Sequence, residues 1–228
     1  LIEQESLWKY MDDGSDQGSN WKEINFNDGD WSSGYAELGY GDGDEMTVIE
    51  YGPDENDKYI TTYFRYMFTL DSSENIQTLS LGLKSDDGAI IYLNGTEVLR
   101  SNIPVGPTTY DTYASATVSG GDEDTFFGWT ISADEITAGQ NIVAVELHQV
   151  SGSSSDISFD LELIGTSYSN AELIDSLTFG NQITDVSYGR RSEDNTWSFF
   201  GEPTPGGPNN TAPTNSTEPS GPVAPSLG

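Results

Sequence analysis

The stretch YITTYFRYMFTL, Tyr59 to Leu70, alternates its side chains with a period of two. Ile60, Thr62, Phe64, Tyr66, Phe68 and Leu70 fall on one face, and Tyr63, Arg65 and Met67 fall on the other. Successive side chains of an extended chain point to opposite faces, so this is a strand with one face in a core. The same period recurs downstream. IQTLSLGLK turns Leu79, Leu81 and Leu83 inward; NIVAVELHQV does so with Val143, Val145 and Leu147. DISFDLELIG buries Ile157, Phe159, Leu161 and Leu163. YLNGTEV places Asn94-Gly95 between two short strands, the signal of a type I′ hairpin. No segment has comparable helical spacing, and SADEITAG, Ser132 to Gly139, reads as a single capped turn. Strands separated by Gly, Asp, Asn and Ser turns predict an all-β antiparallel sandwich.

Composition narrows the function. Thirty-eight acidic residues against 8 basic ones give a formal charge of −30 in 228 residues. Such a field repels phosphate backbones and anionic lipid surfaces, which argues against nucleic-acid partners and membrane binding. No run of apolar residues is long enough to span a bilayer, so membrane insertion is not expected. The absence of cysteine excludes disulfides, thiolate metal sites and thiol nucleophiles. Acidity together with abundant Gly, Ser, Thr and Asn predicts an extracellular location, secreted or at the cell surface. A first residue of Leu1 rather than Met suggests a mature or excised segment.

Texture divides the chain into three parts. Residues 1–165 carry the sandwich pattern, with Gly- and Asp-rich loops in the first 58 residues expected to cover one end. Residues 166–201 form a short β appendage, in which LIDSLTFG, DVSYGR and TWSFF read as brief strands. Residues 202–228 are Pro, Gly, Ser, Thr and Asn with little apolar content, a linker or tail.

WKEINFNDGDW, LGYGDGD, ITTYFRYMF, DDGAIIYLNGTEVLRSNIP and NIVAVELHQ followed by SSDISFDLEL together resemble a galactose-binding-like jelly-roll β-sandwich of secreted, multidomain microbial proteins. The likeness covers about Leu7 to Gly165. It implies a family that includes carbohydrate-binding modules and non-catalytic domains of glycoside hydrolases. It also implies that Trp21, Phe26 and Trp31 are core residues. IDSLTFGNQITDVSYGRRSEDNTWSFFGEPTPGGPN is similar to the end of a lamin-tail-like domain, of which only the last part is present.

The candidate sites lie in the acidic loops. Calcium takes six to eight oxygens from carboxylates, carbonyls and water. DDGSDQG offers Asp13 and Asp16 beside Asp12, and GDGDE offers Asp44 and Glu45 beside Asp42. Galactose-binding-like modules often hold one structural Ca²⁺, so the resemblance strengthens the metal expectation. Tyr35, Tyr40 and Tyr51 flank these loops, where aromatic rings with Asp42 suit sugar stacking and hydroxyl recognition. Asp86-Asp87 is read as a turn that caps backbone N–H groups rather than as an acid–base pair. The single histidine, His148, beside Glu146, is read as a packed residue, and Arg65 as the partner of a carboxylate. A glycosidase needs only two carboxylates, but nothing singles out such a pair. The expected function is therefore non-catalytic, calcium-supported binding of a polysaccharide or glycan within a larger protein. The alternative is a structural connector in an extracellular assembly, completed by strand pairing with other copies or neighbouring domains.

Overall fold

The structure, a computed structural model, describes residues 1–71, 76–167, 187–190 and 197–200. The expected strand LIDSLTFG and the tail from residue 202 lie outside the described residues. So do Val186 and the side chains of Tyr188, Trp197 and Phe199, four residues that the connector reading expects to be at least half buried. The chain divides into two units, Leu1–Ser169 and Asn170–Gly228.

The first unit begins with β1 (Leu7–Met11), β2 (Ser32–Tyr35), β3 (Leu38–Tyr40) and β4 (Thr47–Val48). It continues with β5 (Thr61–Leu70), β6 (Ile76–Asp86), β7 (Gly88–Leu93) and β8 (Thr96–Ser101). β9 (Phe127–Ser132), β10 (Gly139–His148) and β11 (Ile157–Ser167) complete it. β11 therefore runs past the boundary expected at Gly165. One sheet has the order β2-β1-β5-β10-β7-β8, the other β4-β3-β11-β6-β9. In the second unit, β12 (Ser187–Arg190) and β13 (Trp197–Phe200) pair antiparallel with each other.

The first unit is an all-β sandwich, and among the described strands one pair departs from the antiparallel expectation: β4 lies parallel to β3. After Tyr40 the 41–46 loop folds back along its own strand, so Thr47 N–H donates to Glu37 C=O and Ile49 N–H to Gly39 C=O. The Asn94-Gly95 turn joins β7 to β8 with positive φ at both residues, +51° and +88°, as a type I′ hairpin requires.

The inward faces read from the periodicity meet between the sheets. Phe64 stacks on Phe159 across the sandwich with ring centroids 4.2 Å apart, and Trp8 meets Phe159 edge-on at 5.0 Å. Leu79, Leu81, Leu83, Val143, Val145, Leu147 and Leu163 fill the same core. Alternation alone leaves the other face of β5 and β10 to solvent. Instead Tyr63, Arg65, Ala144, Glu146 and His148 are buried too. A second apolar cluster covers that face, built from Trp21, Trp31, Tyr63, Ile90, Tyr92, Ile103, Ala114 and Ala144. The 12–31 and 102–118 segments supply the cover.

Arg65 fastens the first of these segments. Its Nε donates to Asp28 Oδ2 at 2.8 Å, and its Nη1 donates to the carbonyls of Trp21 and Glu23. Phe26 and Trp31 lie over the guanidinium, 5.2 and 6.0 Å from ring centroid to Cζ. Removing one partner of a buried charged network costs about 3–5 kcal/mol, less where the remaining partner can rehydrate. Asp28 is 26% exposed, so Arg65→Ala is expected to destabilise the first unit by about 3 kcal/mol. Amide exchange over residues 19–31 should accelerate more than exchange over β6 or β11. Equal acceleration everywhere would show that Arg65 is not the fastener of this segment.

Candidate functional site at the loop-bearing end

The strand register gathers the long loops at one end of the sandwich. Tyr40 ends β3 opposite Ile157, Asp86 ends β6 opposite Ser158, and Met11 ends β1 opposite Tyr63. His148 ends β10 opposite both Thr61 and Gly88. The segments 12–18, 41–46, 49–60, 102–126 and 149–156 therefore emerge side by side.

Three of these segments bring carboxylates together. Asp42, Glu123 and Asp156 each place an oxygen within 4.8 Å of the others, and Asp42 forms a second such group with Asp44 and Glu45. Asp42 Oδ2 accepts from the Ser158 hydroxyl at 3.2 Å. Gly41 allows the approach, because a Cβ there would lie 2.7 Å from the Asp156 Cβ. Loss of hydration and the Asp156 charge push the Asp42 carboxyl above its usual range. Among the described residues no lysine or arginine forms an ion pair with this group. Like charges held this close favour a cation between them.

The metal residues expected from sequence divide accordingly. Asp44 and Glu45 join Asp42, although both Glu45 oxygens already accept N–H bonds from Asp42 and Gly43. Asp13 and Asp16 do not join them. Asp13 accepts from the Ser15 N–H and hydroxyl, and Asp16 from the Gly18 N–H, so each closes its own turn. Glu123 and Asp156 went unread because they are distant in sequence from Asp42; their only signals are short acidic loops in GGDED and SSSD.

Beneath the acidic group lie buried polar residues. Asp87 Oδ1 accepts from Val118 N–H at 3.0 Å and Oδ2 from Val150 N–H at 2.7 Å, clasping two loops. This is the backbone-capping role expected for Asp-Asp-Gly. Asp86 is 1% exposed, and its Oδ1 has no partner. Burial, then a hydrogen bond to Asp87 and the Asp87 charge, push its carboxyl up to about 9. The His148 ring is buried with its Nδ1 2.8 Å from the Thr112 carbonyl. A carbonyl only accepts, so Nδ1 donates and pins the 102–118 segment. Glu146 accepts from the Tyr92 hydroxyl at 2.6 Å on the same face.

The expected sugar-stacking tyrosines do not form one platform. Tyr40 is 6% exposed, and its hydroxyl accepts from the Gln149 amide, so its ring cannot stack on a ligand. Tyr51 is 37% exposed and packs edge-on against Tyr40 at 5.1 Å, with Lys58 Nζ 5.5 Å from its centroid. Tyr35 is 56% exposed but lies opposite Leu7 at the start of β1, away from the loop-bearing end. The antiparallel course of β2 beside β1 puts it there.

An aromatic surface does occur at the loop-bearing end, formed by Tyr59. A depression of about 480 Å³ is lined by Tyr59, Pro53, Gly52, Asp12, Asp13 and Glu50. Glu50 N–H donates to Asp12 Oδ2 at 2.7 Å, tying two loops across it. Gly14 and Gly52, both at positive φ, lie against the Tyr59 ring; a Cβ on Gly52 would sit 3.0 Å from it. The signal for this depression is YGPDENDKY, in which Pro and Gly bring the chain back toward Tyr59.

No protein-family profile matches the sequence, and no curated protein matches it. Among solved structures, part of the chain is similar to part of a β-glycosidase from Bacteroides vulgatus, at 15% identity and a TM-score of 0.43 over 72% of this chain and 20% of that one. It is similar to Bacteroides uniformis β-glucuronidase 2, covalently bound to cyclophellitol-6-carboxylate aziridine, at 14% identity and a TM-score of 0.48 over 73% and 18%. A glycosyl hydrolase family 2 member from Bacteroides cellulosilyticus aligns at 14% identity and a TM-score of 0.46 over 72% and 20%. The chain spans about a fifth of the length of these proteins.

The buried Asp86 makes stability depend on pH. Below the unfolded carboxyl pKa of about 3.9 it is protonated in both states and costs nothing. Between about 4 and 9 the folded state holds a proton that the unfolded state has released, so stability falls as pH rises. Asp86→Asn removes this dependence while keeping a donor toward Asp87. Its melting temperature should decline less than that of the parent from pH 5 to 9, and should exceed it at pH 8. Parallel melting curves across that range would mean that Asp86 titrates normally.

Proposed function

We propose that the first unit is a non-catalytic carbohydrate-binding module of galactose-binding-like type, working outside the cell with a structural Ca²⁺. The observation that carries this reading is the Tyr59 depression. Tyr59, half-buried against Gly14 and Gly52, and Pro53 offer apolar surface for sugar C–H groups, and Asp12, Asp13 and Glu50 offer acceptors for hydroxyls. The Asp42, Glu123 and Asp156 group supports the calcium part. Three loops supply its oxygens, so an ion there would tie them together and stiffen the end that presents the depression. The reading of Asp86-Asp87 as a capping turn rather than an acid–base pair is supported by Asp87, whose two oxygens are both engaged by backbone N–H groups. The connector reading draws on β12 and β13, but these strands pair with each other, which satisfies one edge of each without a partner chain.

Affinity electrophoresis through gels containing neutral or acidic polysaccharides, with calcium present, tests the binding. At least one polysaccharide should retard the protein, and Tyr59→Ala should weaken retention about tenfold, the loss of about 1.4 kcal/mol. Absence of retardation in every gel would remove the carbohydrate reading.

Calcium is tested separately by melting. Extracellular calcium modules bind with dissociation constants of about 10⁻⁴–10⁻³ M. At 10 mM Ca²⁺ the gain should be about 2 kcal/mol, visible as a rise of a few degrees. Asp156→Asn should abolish the rise and, by relieving the repulsion from Asp42 and Glu123, leave the melting temperature in chelator at or above that of the parent. An undiminished rise in that variant would place the ion elsewhere.

A further inference from the structure

We infer that the outer face of the five-stranded sheet carries a second binding site, centred on Lys84, for a vicinal diol of a neutral sugar ring. The inference rests on the carbohydrate reading above but concerns a different cleft and different residues. The fold-back of the 41–46 loop onto β4 builds one wall, which carries Met46. The residues just before β9 build the other, which carries Phe126. Between them is a hollow of about 210 Å³. That is the space of about seven waters at ~30 Å³ each, enough for one sugar ring.

The floor presents one donor among several acceptors. Lys84 and Asp160 face each other in the β6–β11 register. The Lys84 side chain is 10% exposed; its ammonium donates to Glu37 Oε2 and, at 3.3 Å, to Asp124 Oδ1. An ammonium has three donors, so one N–H is without a partner among the described residues. Glu37 Oε1 is buried and also without a partner. Asp160 accepts from the Glu5 and Leu161 N–H groups, and burial raises its carboxyl. A buried carboxylate oxygen left unpaired carries a desolvation penalty that a ligand hydroxyl can relieve.

Two adjacent hydroxyls fit this inventory. One accepts from the third Lys84 N–H, and its neighbour donates to Glu37 Oε1, which a turn of the Glu37 side chain must first bring to the surface of the hollow. Asp124, with a side chain 73% exposed, can give up its longer contact to make room. Above the floor Met46, 67% exposed, and Phe126 offer apolar surface to the C–H face of the ring. Charge selects among sugars. Lys84 alone opposes Glu37, Asp124, Asp160, Glu5 and Asp44 around the hollow, so a uronate or sulfated sugar meets net repulsion. A bare divalent cation is disfavoured by the ammonium already lodged among these carboxylates.

The test is a titration of the full chain carrying ¹³C-methyl methionine. Met11 and Met67 serve as references, and the ligands are neutral gluco-, galacto- and manno-oligosaccharides alongside oligogalacturonates. The Met46 methyl signal should shift saturably with at least one neutral oligomer and stay still with the uronates. Phe126→Ala and Lys84→Met should each weaken that binding about tenfold or more. Melting temperature and the retention lost in Tyr59→Ala serve as folding controls. Retention of polysaccharide with a silent Met46 signal overturns this site and leaves the carbohydrate reading standing. An equal response to uronates overturns the charge argument. No retention of any polysaccharide overturns the parent reading and this site with it.

Discussion

Arg65 carries a fixed charge into the interior of the covering layer, where almost no water reaches it. It is held by one carboxylate, two backbone carbonyls and two aromatic faces. Such a group is expensive to bury and costly to disturb, because its buried partners have lost their own hydration. The 19–31 segment is thereby tied to β5 at a specific register. Trp21 comes down with it onto Tyr63 and Tyr92, Trp31 packs edge-on against Phe26, and the six-stranded sheet acquires apolar layers on both faces. An antiparallel sheet commonly leaves one face to water. Here the second layer explains why Glu146 and His148, on strand positions that alternation assigns to the outside, are enclosed.

The same economy of anchoring operates at the loop-bearing end. Asp87 holds two loops through N–H bonds, His148 holds the 102–118 segment through the Thr112 carbonyl, and Asp12 holds the Glu50 backbone. Each is a polar residue whose hydrogen-bonding capacity goes to the backbone of a distant segment. Backbone groups of long loops cannot be satisfied by a ladder, so side chains from the strand ends take that role. The result is a set of acidic loops held close together despite their mutual repulsion. The carboxylates of Asp42, Glu123 and Asp156 converge among these loops, and the Tyr59 depression is formed by other residues of the same loop set.

Legibility from sequence followed the range of the interaction. The inward faces of β5, β6, β10 and β11 were readable because period-two alternation is local, and the Asn94-Gly95 turn because positive φ is a property of two residues. Asp13 and Asp16 misled for the same reason. Their density suggested a metal site, whereas each is occupied by its own turn. Tyr40 misled because a ring beside a glycine loop looks available, yet its position opposite Ile157 carries it into the interior. The parallel β3–β4 pair was invisible, since a fold-back of the 41–46 loop depends on backbone bonds from Thr47 and Ile49 rather than on any pattern.

Composition and periodicity by themselves determined that this is an all-β sandwich, strongly acidic and built without cysteine. Those properties reside in the identity and spacing of near neighbours along the chain. Only the tertiary structure decided which carboxylates converge, which aromatic ring lines the depression and how the Lys84 hollow is walled. Each depends on strand order and register, which bring residues such as Asp42 and Asp156, or Lys84 and Asp160, together across long stretches of sequence. Nothing local to either member of such a pair encodes its partner, because the contact exists only once β3 and β6 have paired with β11.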